Sequence, residues 1–387
     1  MKLTVSQKLL DKAIKSVNKA VPAKALQPIL NNIFLKTHDN KLFVNATDLD
    51  FWIEANMPAA NLEEGSIAVS AKKIEEISSK FADEELNLSL ANETKILKIG
   101  SEKIKFDLIG FPGEDFPAFE KPDLDGQSAV IINRLDFLSY INVVQISASR
   151  FDLNNILGGI YIAIREEYNQ ELNSKEYFLD FASSDGGRLS AYSHKLSNIN
   201  LDDVNFKHKV VIVPIKVMLD IQKILDTSID DNLSIYFLSS QVVFKTEDRY
   251  IVTRLLEGNY PNYLELIPSG HNKRAVIDRK EFLSALDRVS VMANEITNMV
   301  RLSFSAETLK LDSNNLDFGN ASENMSITHY QGDDIEINFN IKYLIDFLKV
   351  IDSELIIFLI HEKETPAIIK PESGPEHIYV IMPLKAS

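Results

Sequence analysis

The side chains that most often carry out catalysis do not form a recognisable active site in this sequence. There is no cysteine, the seven histidines are not paired at metal-ligand spacing, and no H-E-x-x-H, G-x-G-x-x-G or Walker A motif occurs. SSDGGRLS (183–190) lacks the G-x-S-x-G arrangement of a nucleophile elbow. The carboxylate pairs Asp48/Asp50 and Asp230/Asp231 lie among turn-forming residues. We therefore expect a protein that is not an enzyme and has no metal or other cofactor, with a hydrolase assembled from distant residues as an alternative.

Lysine is the more informative residue type. The chain has 387 residues and a net charge of −15, which taken alone argues against nucleic-acid binding. Six segments predicted to contain helices nevertheless carry a net charge of +13, so the rest carries −28. These segments are 1–24, 70–81, 134–150, 207–223, 273–288 and 340–350. Lysine is common on solvated helix faces, but glutamate forms helices equally well and is scarce here. A surface lined by all six helices would bind a phosphate backbone without reading its bases.

A threefold repeat accounts for the positions of these segments. The repeat occurs in LTVSQKLLDKAIKSV, VIINRLDFLSYINVV and AVIDRKEFLSALDRV. In each copy, a strand residue lies five positions before the first of three apolar residues at i, i+4 and i+7, and these three share one helical face. A second pattern, lysine followed by apolar residues at +2 and +5, recurs at Lys72, Lys216 and Lys342. An aromatic-proline step, Phe116-Pro117 and then Tyr260-Pro261, closes the first two copies.

The repeat predicts three similar α+β domains at 1–126, 127–268 and 269–387, each with two helices packed on antiparallel sheets. The middle copy is longer because the polar stretch 166–177 is predicted to extend a hairpin. The longest aliphatic run, Leu355 to Ile360, is far too short for a membrane span, and the N-terminus lacks the apolar region of a signal peptide. We expect a soluble, cytoplasmic protein.

Six short motifs carry a resemblance to a known family. They are MKLTVSQKLL at the N-terminus, LQPILNNI (26–33), TDLDFWI (47–53), SDGGRLS (184–190), EGNYPNY (257–263) and YVIMPL (379–384). In this order, on a threefold repeat, they make the chain similar over essentially its full length to the β sliding clamp family of bacterial DNA polymerase III. That resemblance implies the DNA clamp fold and a head-to-tail homodimer, a ring in which twelve helices surround duplex DNA.

The resemblance also implies a function. The protein would be a non-catalytic processivity factor of the DNA-directed DNA polymerase holoenzyme, sliding on double-stranded DNA without sequence specificity during replication. Its partners would be the polymerase alpha subunit, the clamp loader delta subunit and other clamp-motif proteins, each docking a short peptide in a cleft between the second and third domains. A monomeric peptide-binding scaffold that does not encircle DNA is the alternative, and the oligomeric state separates the two.

Site residues follow from the resemblance by matching motif. The cleft would be formed by Leu157, Ser184, Gly186, Gly187, Arg188, Leu189, Pro261, Tyr263, Leu266, Val380, Ile381, Met382, Pro383 and Leu384. The DNA-contacting residues would be Lys24, Lys72, Lys73 and Arg150. The dimer would join Phe106 and Leu108 of one copy to Val291 and Met292 of the other. Glu265 stands where relatives often have arginine, and Ala386 and Ser387 extend past the usual end, near the mouth of the pocket.

Overall fold

The computed structural model describes residues 1–387 except 83, 91–94, 152–154, 197–208, 375–376 and 386–387. The chain divides into two compact units. Unit 1 comprises Met1–Leu138 and Asp202–Leu255, and unit 2 comprises Ser139–Leu201 and Leu256–Ser387.

Six α-helices lie in the described part of the chain. They are α1 (Gln7–Val17), α2 (Ala71–Ser78), α3 (Arg134–Val144), α4 (Ile215–Asp226), α5 (Arg279–Ser290) and α6 (Ile341–Val350). None of these helices has the length and apolar character needed to cross a membrane.

The first fourteen strands run from the N-terminus to the start of α4. They are β1 (Lys2–Ser6), β2 (Asn32–His38), β3 (Lys41–Thr47), β4 (Phe51–Pro58), β5 (Ala60–Glu63), β6 (Gly65–Ser70), β7 (Glu85–Leu90), β8 (Ile96–Gly100), β9 (Lys105–Pro112), β10 (Val130–Asn133), β11 (Gly159–Asn169), β12 (Ser174–Ser184), β13 (Arg188–Lys195) and β14 (Val210–Pro214).

Twelve further strands complete the chain. They are β15 (Asn232–Phe237), β16 (Gln241–Lys245), β17 (Arg249–Arg254), β18 (Lys273–Asp278), β19 (Met299–Phe304), β20 (Thr308–Asn315), β21 (Gly319–Ser326), β22 (His329–Gln331), β23 (Ile335–Asn340), β24 (Leu355–Ile360), β25 (Ala367–Pro371) and β26 (His377–Ile381).

Antiparallel pairing organises both units. In unit 1 thirteen strands follow the order β10-β15-β16-β17-β4-β3-β2-β6-β9-β8-β7-β1-β5. In unit 2 one sheet contains β11-β12-β13-β26-β25-β24-β18-β22 in that order, and a second contains β21-β20-β19-β23. The predicted hairpin extension is confirmed, because β11 and β12 remain paired from Tyr161↔Ala182 out to Asn169↔Ser174.

The predicted strand–helix repeats are confirmed at all six places. The strands β1, β10 and β18 lead directly into α1, α3 and α5, and β6, β14 and β23 lead into α2, α4 and α6. The predicted helix anchors are buried except Ile77 of α2, which is half-buried; Leu10, Ile14 and Val17 of α1, for example, are at most 1% exposed. In unit 2, Phe282 of α5 and Phe347 of α6 belong to one apolar core with the sheet strands.

In each repeat the two helices are joined by the same kind of hydrogen bond. The first residue of the leading helix donates to a backbone carbonyl at or near the end of the second helix. Gln7 Nε2 donates to Ser78 O at 2.8 Å, Arg134 donates to Leu225 O at 2.9 Å, and Arg279 donates to Leu348 O at 3.0 Å. All three carbonyls lie in the last turn of a helix, where the i+4 donor is missing. Leu225 O also accepts from Ser228 N at 3.0 Å, so there the side chain adds a second donor.

The observed helices are shorter than the six segments predicted to contain them, and their net charge is correspondingly smaller. The six helices contain thirteen Lys or Arg and nine Asp or Glu residues, a net charge of +4. Most of the predicted surplus therefore lies in flanking residues such as Lys2, Lys19 and Lys24. The helices remain the positive part of an acidic chain, but the asymmetry depends on the loops beside them.

Candidate functional site

The predicted cleft residues all belong to unit 2, and the first group forms the turn between β12 and β13. Gly186 has φ +88°, a backbone conformation that favours glycine. The carboxylate Oδ1 of Asp185 accepts from the backbone N–H groups of Gly187 at 3.0 Å and Arg188 at 3.1 Å. The Ser184 hydroxyl accepts from Gly186 N at 3.1 Å and donates to Arg188 O at 2.8 Å. Local side-chain bonds therefore fix the turn.

Arg188 lies in this turn and binds two carboxylates. Its Nε donates to Asp185 Oδ2 at 3.0 Å and its Nη1 donates to Asp346 Oδ2 at 2.7 Å. The guanidinium also lies 4.1 Å from the centre of the Tyr343 ring. Burial alone would lower the pKa of Arg188, but Tyr379, Asp346 and Asp185 raise it above its ordinary value. The residue is thus a fixed cation that joins the turn to α6.

The C-terminal apolar run forms a central strand of the unit 2 sheet. Strand β26 pairs with β13, placing Val380 opposite Leu189, and with β25 on its other side. Successive side chains alternate between faces. Tyr379 and Ile381 enter the core shared with α5 and α6, while Val380 enters a second cluster. The strand is extended by a bond from Met382 N to Gly187 O at 3.0 Å.

The second cluster is the apolar centre of the candidate cleft. Its buried members are Ala182, Leu189, Ala191, Tyr263, Ile368 and Val380. Tyr161, Ile267, Leu359 and Ile378 pack against it and are partly buried. Three of the predicted residues, Leu189, Tyr263 and Val380, are therefore brought together by strands and a loop that are far apart in sequence.

Tyr263 is held in this cluster by a polar network. Its hydroxyl donates to Asp180 Oδ2 at 2.7 Å, and the Arg165 guanidinium binds the same carboxylate. Asp180 is 1% exposed. Burial, with Asp180 as the next cause, raises the pKa of Tyr263, so the phenol stays protonated. Sequence reasoning did not identify Asp180 or Arg165, because a single buried polar residue in a strand gives no local signal.

The other predicted cleft residues keep part of their surface exposed. Leu266 is 48% exposed and Met382 is 44% exposed. Pro261 is also exposed, while Leu157, Pro383 and Leu384 are half-buried. Leu384 N donates to Asn338 O at 2.8 Å, which fixes the end of the described chain. Ala386 and Ser387 lie outside the described residues.

The predicted DNA-contacting residues are exposed but are not all in one unit. Lys24, Lys72 and Lys73 lie in unit 1, and Arg150 lies in unit 2. Lys72 and Lys73 lie in the first turn of α2, and Lys73 Nζ lies 2.8 Å from Glu76 Oε2. The structure thus places each of them where solvent or a ligand can reach it.

The predicted dimer residues lie at a strand edge and after a helix. Phe106 and Leu108 are half-buried residues of β9. Within the described residues, the part of β9 from 105 to 109 pairs only with β8, because β6 pairs with 110–112. Val291, which directly follows α5, is 77% exposed, and Met292 is half-buried. Both segments therefore retain surface that could contact another chain.

One histidine-containing group forms that sequence spacing did not indicate. His38, Asp39 and Glu64 place possible ligand atoms within 4.8 Å of one another, and all three are exposed. His38 Nδ1 lies 3.1 Å from Glu64 Oε1, which is the geometry of a surface ion pair. We assign this group no role.

Known proteins share this architecture from end to end. Three family models match in succession: DNA polymerase III beta subunit, N-terminal domain, at 1–120; central domain, at 132–262; and C-terminal domain, at 264–385. The beta sliding clamp of Rickettsia felis is 29% identical over 396 residues, covering 100% of both chains. That of Synechococcus elongatus is 27% identical over 391 residues, covering 100% of this chain and 99% of the relative.

Solved structures agree with these relatives. The DnaN sliding clamp of Pseudomonas aeruginosa bound to griselimycin has a TM-score of 0.89 at 25% identity, with full coverage of both chains. The beta sliding clamp of Caulobacter crescentus, with PEG bound to a putative beta-motif tethering region, has a TM-score of 0.89 at 26% identity, covering 100% of this chain and 99% of that one.

Three domains of antiparallel sheets and paired helices define a protein of the DNA clamp fold. The chain belongs to the DNA polymerase III beta subunit family. It is a sliding clamp, a non-catalytic processivity factor of DNA replication, and the family implies that it encircles DNA as a homodimer and works with a polymerase.

Proposed function

We propose that this clamp tethers its partners through the apolar cluster of unit 2. The observation that supports the proposal is the pairing of β26 with β13, which brings Val380 and Leu189 together beside Tyr263. The segments that supply these residues also leave apolar side chains exposed, Leu266 and Met382 among them. A peptide that covered these side chains would remove apolar surface from water.

The partners would be the replicative polymerase alpha subunit, the clamp loader delta subunit and other clamp-motif proteins, acting in the cytoplasm. Two similar structures support a ligand site on clamps of this fold, since the Pseudomonas aeruginosa clamp is bound to griselimycin and the Caulobacter crescentus clamp has PEG at its beta-motif tethering region. In this chain the site would be the fourteen cleft residues named above, of which Ile381 would contribute only its backbone because its side chain is buried in the core shared with α5 and α6. Arg188 would position the turn rather than touch the peptide, because two carboxylates already bind its guanidinium.

Removing residues 382–387 tests the cleft. This truncation leaves β26 intact, whereas a cut after Tyr379 would remove Ile381 from the core. The probe is a fluorescein-labelled peptide from the C-terminus of the cognate polymerase alpha subunit, followed by fluorescence anisotropy. We expect the truncation to weaken binding by at least about tenfold, the effect of losing one apolar side chain, such as Met382, that the peptide would bury. Removing only 386–387 is the matched control, and full affinity after removal of 382–387 would refute the assignment.

For DNA, we propose phosphate contacts by Lys24, Lys72, Lys73 and Arg150, all of which are exposed. Such contacts are independent of sequence and weaken as salt rises. The Lys72→Ala/Lys73→Ala variant should shorten the lifetime of the clamp on nicked circular DNA and reduce its salt dependence. The same lifetime on circular and linear DNA would contradict encirclement.

For the dimer, we propose that β9 near Phe106 and Leu108 contacts the segment after α5, near Val291 and Met292, of a second copy. The exposed edge of β9 and the exposure of Val291 support this pairing. Light scattering should report a dimer of the 43.7 kDa chain, and Leu108→Lys should convert it to a monomer. A wild-type monomer would favour the peptide-binding scaffold that does not encircle DNA. We keep 1–126, 127–268 and 269–387 as the domain boundaries, which the three matched ranges support.

A further inference from the structure

Unit 1 contains a cavity of about 590 Å³ that the proposed function does not use. Alternate side chains of β2, β3 and β4 line it, together with the segment 113–121 that follows β9. Much of the lining is aromatic: Trp52 stacks on Phe119 with 4.2 Å between ring centroids, and Phe34 stacks on Phe116 at 5.4 Å. The cavity also contains charged groups, which an apolar packing defect would not have.

The cavity occupies the same place in its sheet as the candidate cleft does in unit 2. In unit 1, β17 pairs with β4 so that Val252 lies opposite Trp52. In unit 2, β26 pairs with β13 so that Val380 lies opposite Leu189. In each unit an aromatic-proline-x-aromatic segment, FPAF or YPNY, packs against the cluster that contains this pair. The two units therefore share an arrangement of paired strands and an aromatic-proline turn, which we call the frame.

The register of the neighbouring strands supports this equivalence. Strand β2 pairs with β3 so that Phe34 lies opposite Asn45, and β11 pairs with β12 so that Tyr161 lies opposite Ala182. Because side chains alternate along a strand, a shared register places equivalent positions on the same face. Counting along the strands from these pairs, Phe43 matches the position of Asp180.

The side chains inside the frame differ between the two units, and in unit 1 they leave a cavity. In unit 2 the Tyr263 hydroxyl and the Arg165 guanidinium both bind Asp180, which fills the frame with a polar network. The matching positions in unit 1 are Phe119, His38 and Phe43, and these cannot form that network. All three line the cavity.

A carboxylate takes part in the unit 1 frame instead. Glu54, which is 8% exposed, stands where unit 2 has Ala191. Its Oε1 accepts from Lys121 Nζ at 2.6 Å, and the same ammonium lies 4.9 Å from the centre of the Tyr250 ring. The Lys121 side chain is 48% exposed, so it reaches the carboxylate from solvent and can leave without unfolding the sheet. The cavity thus holds a cation between a carboxylate and an aromatic ring.

We propose that this cavity is a second peptide-binding site, which accepts an extended segment carrying an arginine or lysine beside an apolar side chain. Lys121 occupies the position of that basic side chain when no peptide is bound. The aromatic walls take the apolar neighbour, and Glu54 selects the positive charge. That the ligand is a peptide rests on the function proposed for unit 2, whereas the charge preference rests on the geometry of unit 1.

Trp52 gives a direct test, because it lines the cavity and is the one tryptophan in the chain. The probes are the acetylated, amidated pentapeptides GLRFG and GLEFG, which contain no tryptophan and differ in charge. Titration with GLRFG should change the emission of Trp52 saturably, and GLEFG should not do so over the same range. Lys121→Met should tighten GLRFG binding about tenfold if Lys121 covers the carboxylate about 90% of the time. Glu54→Gln should abolish the discrimination between the two probes.

A truncated chain distinguishes failure of this site from failure of the unit 2 cleft. All titrations are repeated on the chain lacking 382–387, in which the unit 2 cleft is impaired and this cavity is unchanged; the Trp52 response should persist there, whatever the cleft assay shows. An unchanged Trp52 emission with GLRFG in both the wild type and Lys121→Met would overturn the site. Equal binding of GLRFG and GLEFG would overturn the role of Glu54. Circular dichroism confirms that each variant is folded, and Lys121→Met alone decides the outcome if Glu54→Gln does not fold.

Discussion

Mild acid should destabilise this protein through His377, a residue of β26 that is 3% exposed. Its Nε2 lies 2.6 Å from Ser190 Oγ, and its Nδ1 has no hydrogen-bond partner among the described residues. Burial lowers the pKa of His377 from 6.5 to about 3, because the charged imidazolium would lose its hydration. The folded protein therefore holds this histidine neutral.

The sign and size of the effect follow from this difference in pKa. The unfolded chain takes up a proton near pH 6.5, whereas the folded chain does so only near pH 3. The unfolded state binds more protons between these values, so the free energy of unfolding falls as the pH is lowered through this window. Each pH unit well below 6.5 costs about 1.4 kcal/mol, which gives a loss of about 2 kcal/mol between pH 7 and pH 5.

Urea unfolding at pH 7 and pH 5, followed by circular dichroism, measures this loss. The variant His377→Phe keeps a ring beside Phe347, whose centroid is 5.3 Å away, but cannot take up a proton. The wild type should lose about 2 kcal/mol more than this variant between the two pH values, since other titrating groups cancel in the comparison. His329→Gln, at an exposed position, is the matched control and should behave like the wild type. The same pH dependence in the wild type and His377→Phe would refute the reasoning.

Three further substitutions test contacts of the fold and the cleft. Tyr263→Phe should lower the free energy of unfolding by about 1–3 kcal/mol, because buried Asp180 loses a donor; an unchanged urea midpoint would argue against this bond. Gly186→Ala should cost about 1 kcal/mol in the same assay, since φ +88° disfavours a side chain although space is free, and a neutral result would contradict that backbone conformation. Arg279→Ala should cost about 2 kcal/mol and speed amide exchange at the end of α6, because Leu348 O loses its donor; unchanged exchange would exclude the proposed closure of the helix pair.

Local periodicity predicted the helices well. The spacing i, i+4, i+7 identified Phe282, Leu286 and Val289 as one face of α5, and all three are buried. This works because apolar side chains at helical spacing have to share a face, whatever the rest of the chain does. The apolar run before Pro383 forms β26, whose side chains alternate between two clusters as strand geometry requires.

Contacts between distant segments could not be predicted in this way. Asp346, which holds Arg188, is 158 residues further along the chain, and neither residue type nor spacing connects the two. The pairing of β17 with β4 likewise joins segments about two hundred residues apart, so the place of Val252 beside Trp52 emerges only in the folded sheet. The overestimate of helix charge has a related cause, since the sequence pattern does not fix where a helix ends and its lysine-rich flank begins.

The repeat explains how one arrangement of strands can carry two different linings. A shift of one residue in strand register would turn every side chain of the frame to the other face, so the pairing of β2 with β3 and of β11 with β12 can diverge little without losing the core. A single side chain inside the frame is under no such constraint, because replacing Asp180 by its counterpart Phe43 alters the lining but not the backbone. Unit 2 fills the frame with a polar network around Tyr263, and unit 1 leaves a cavity beside Glu54. Differences in ligand specificity between the two units should therefore arise from the side chains inside the frame and not from the backbone of its strands.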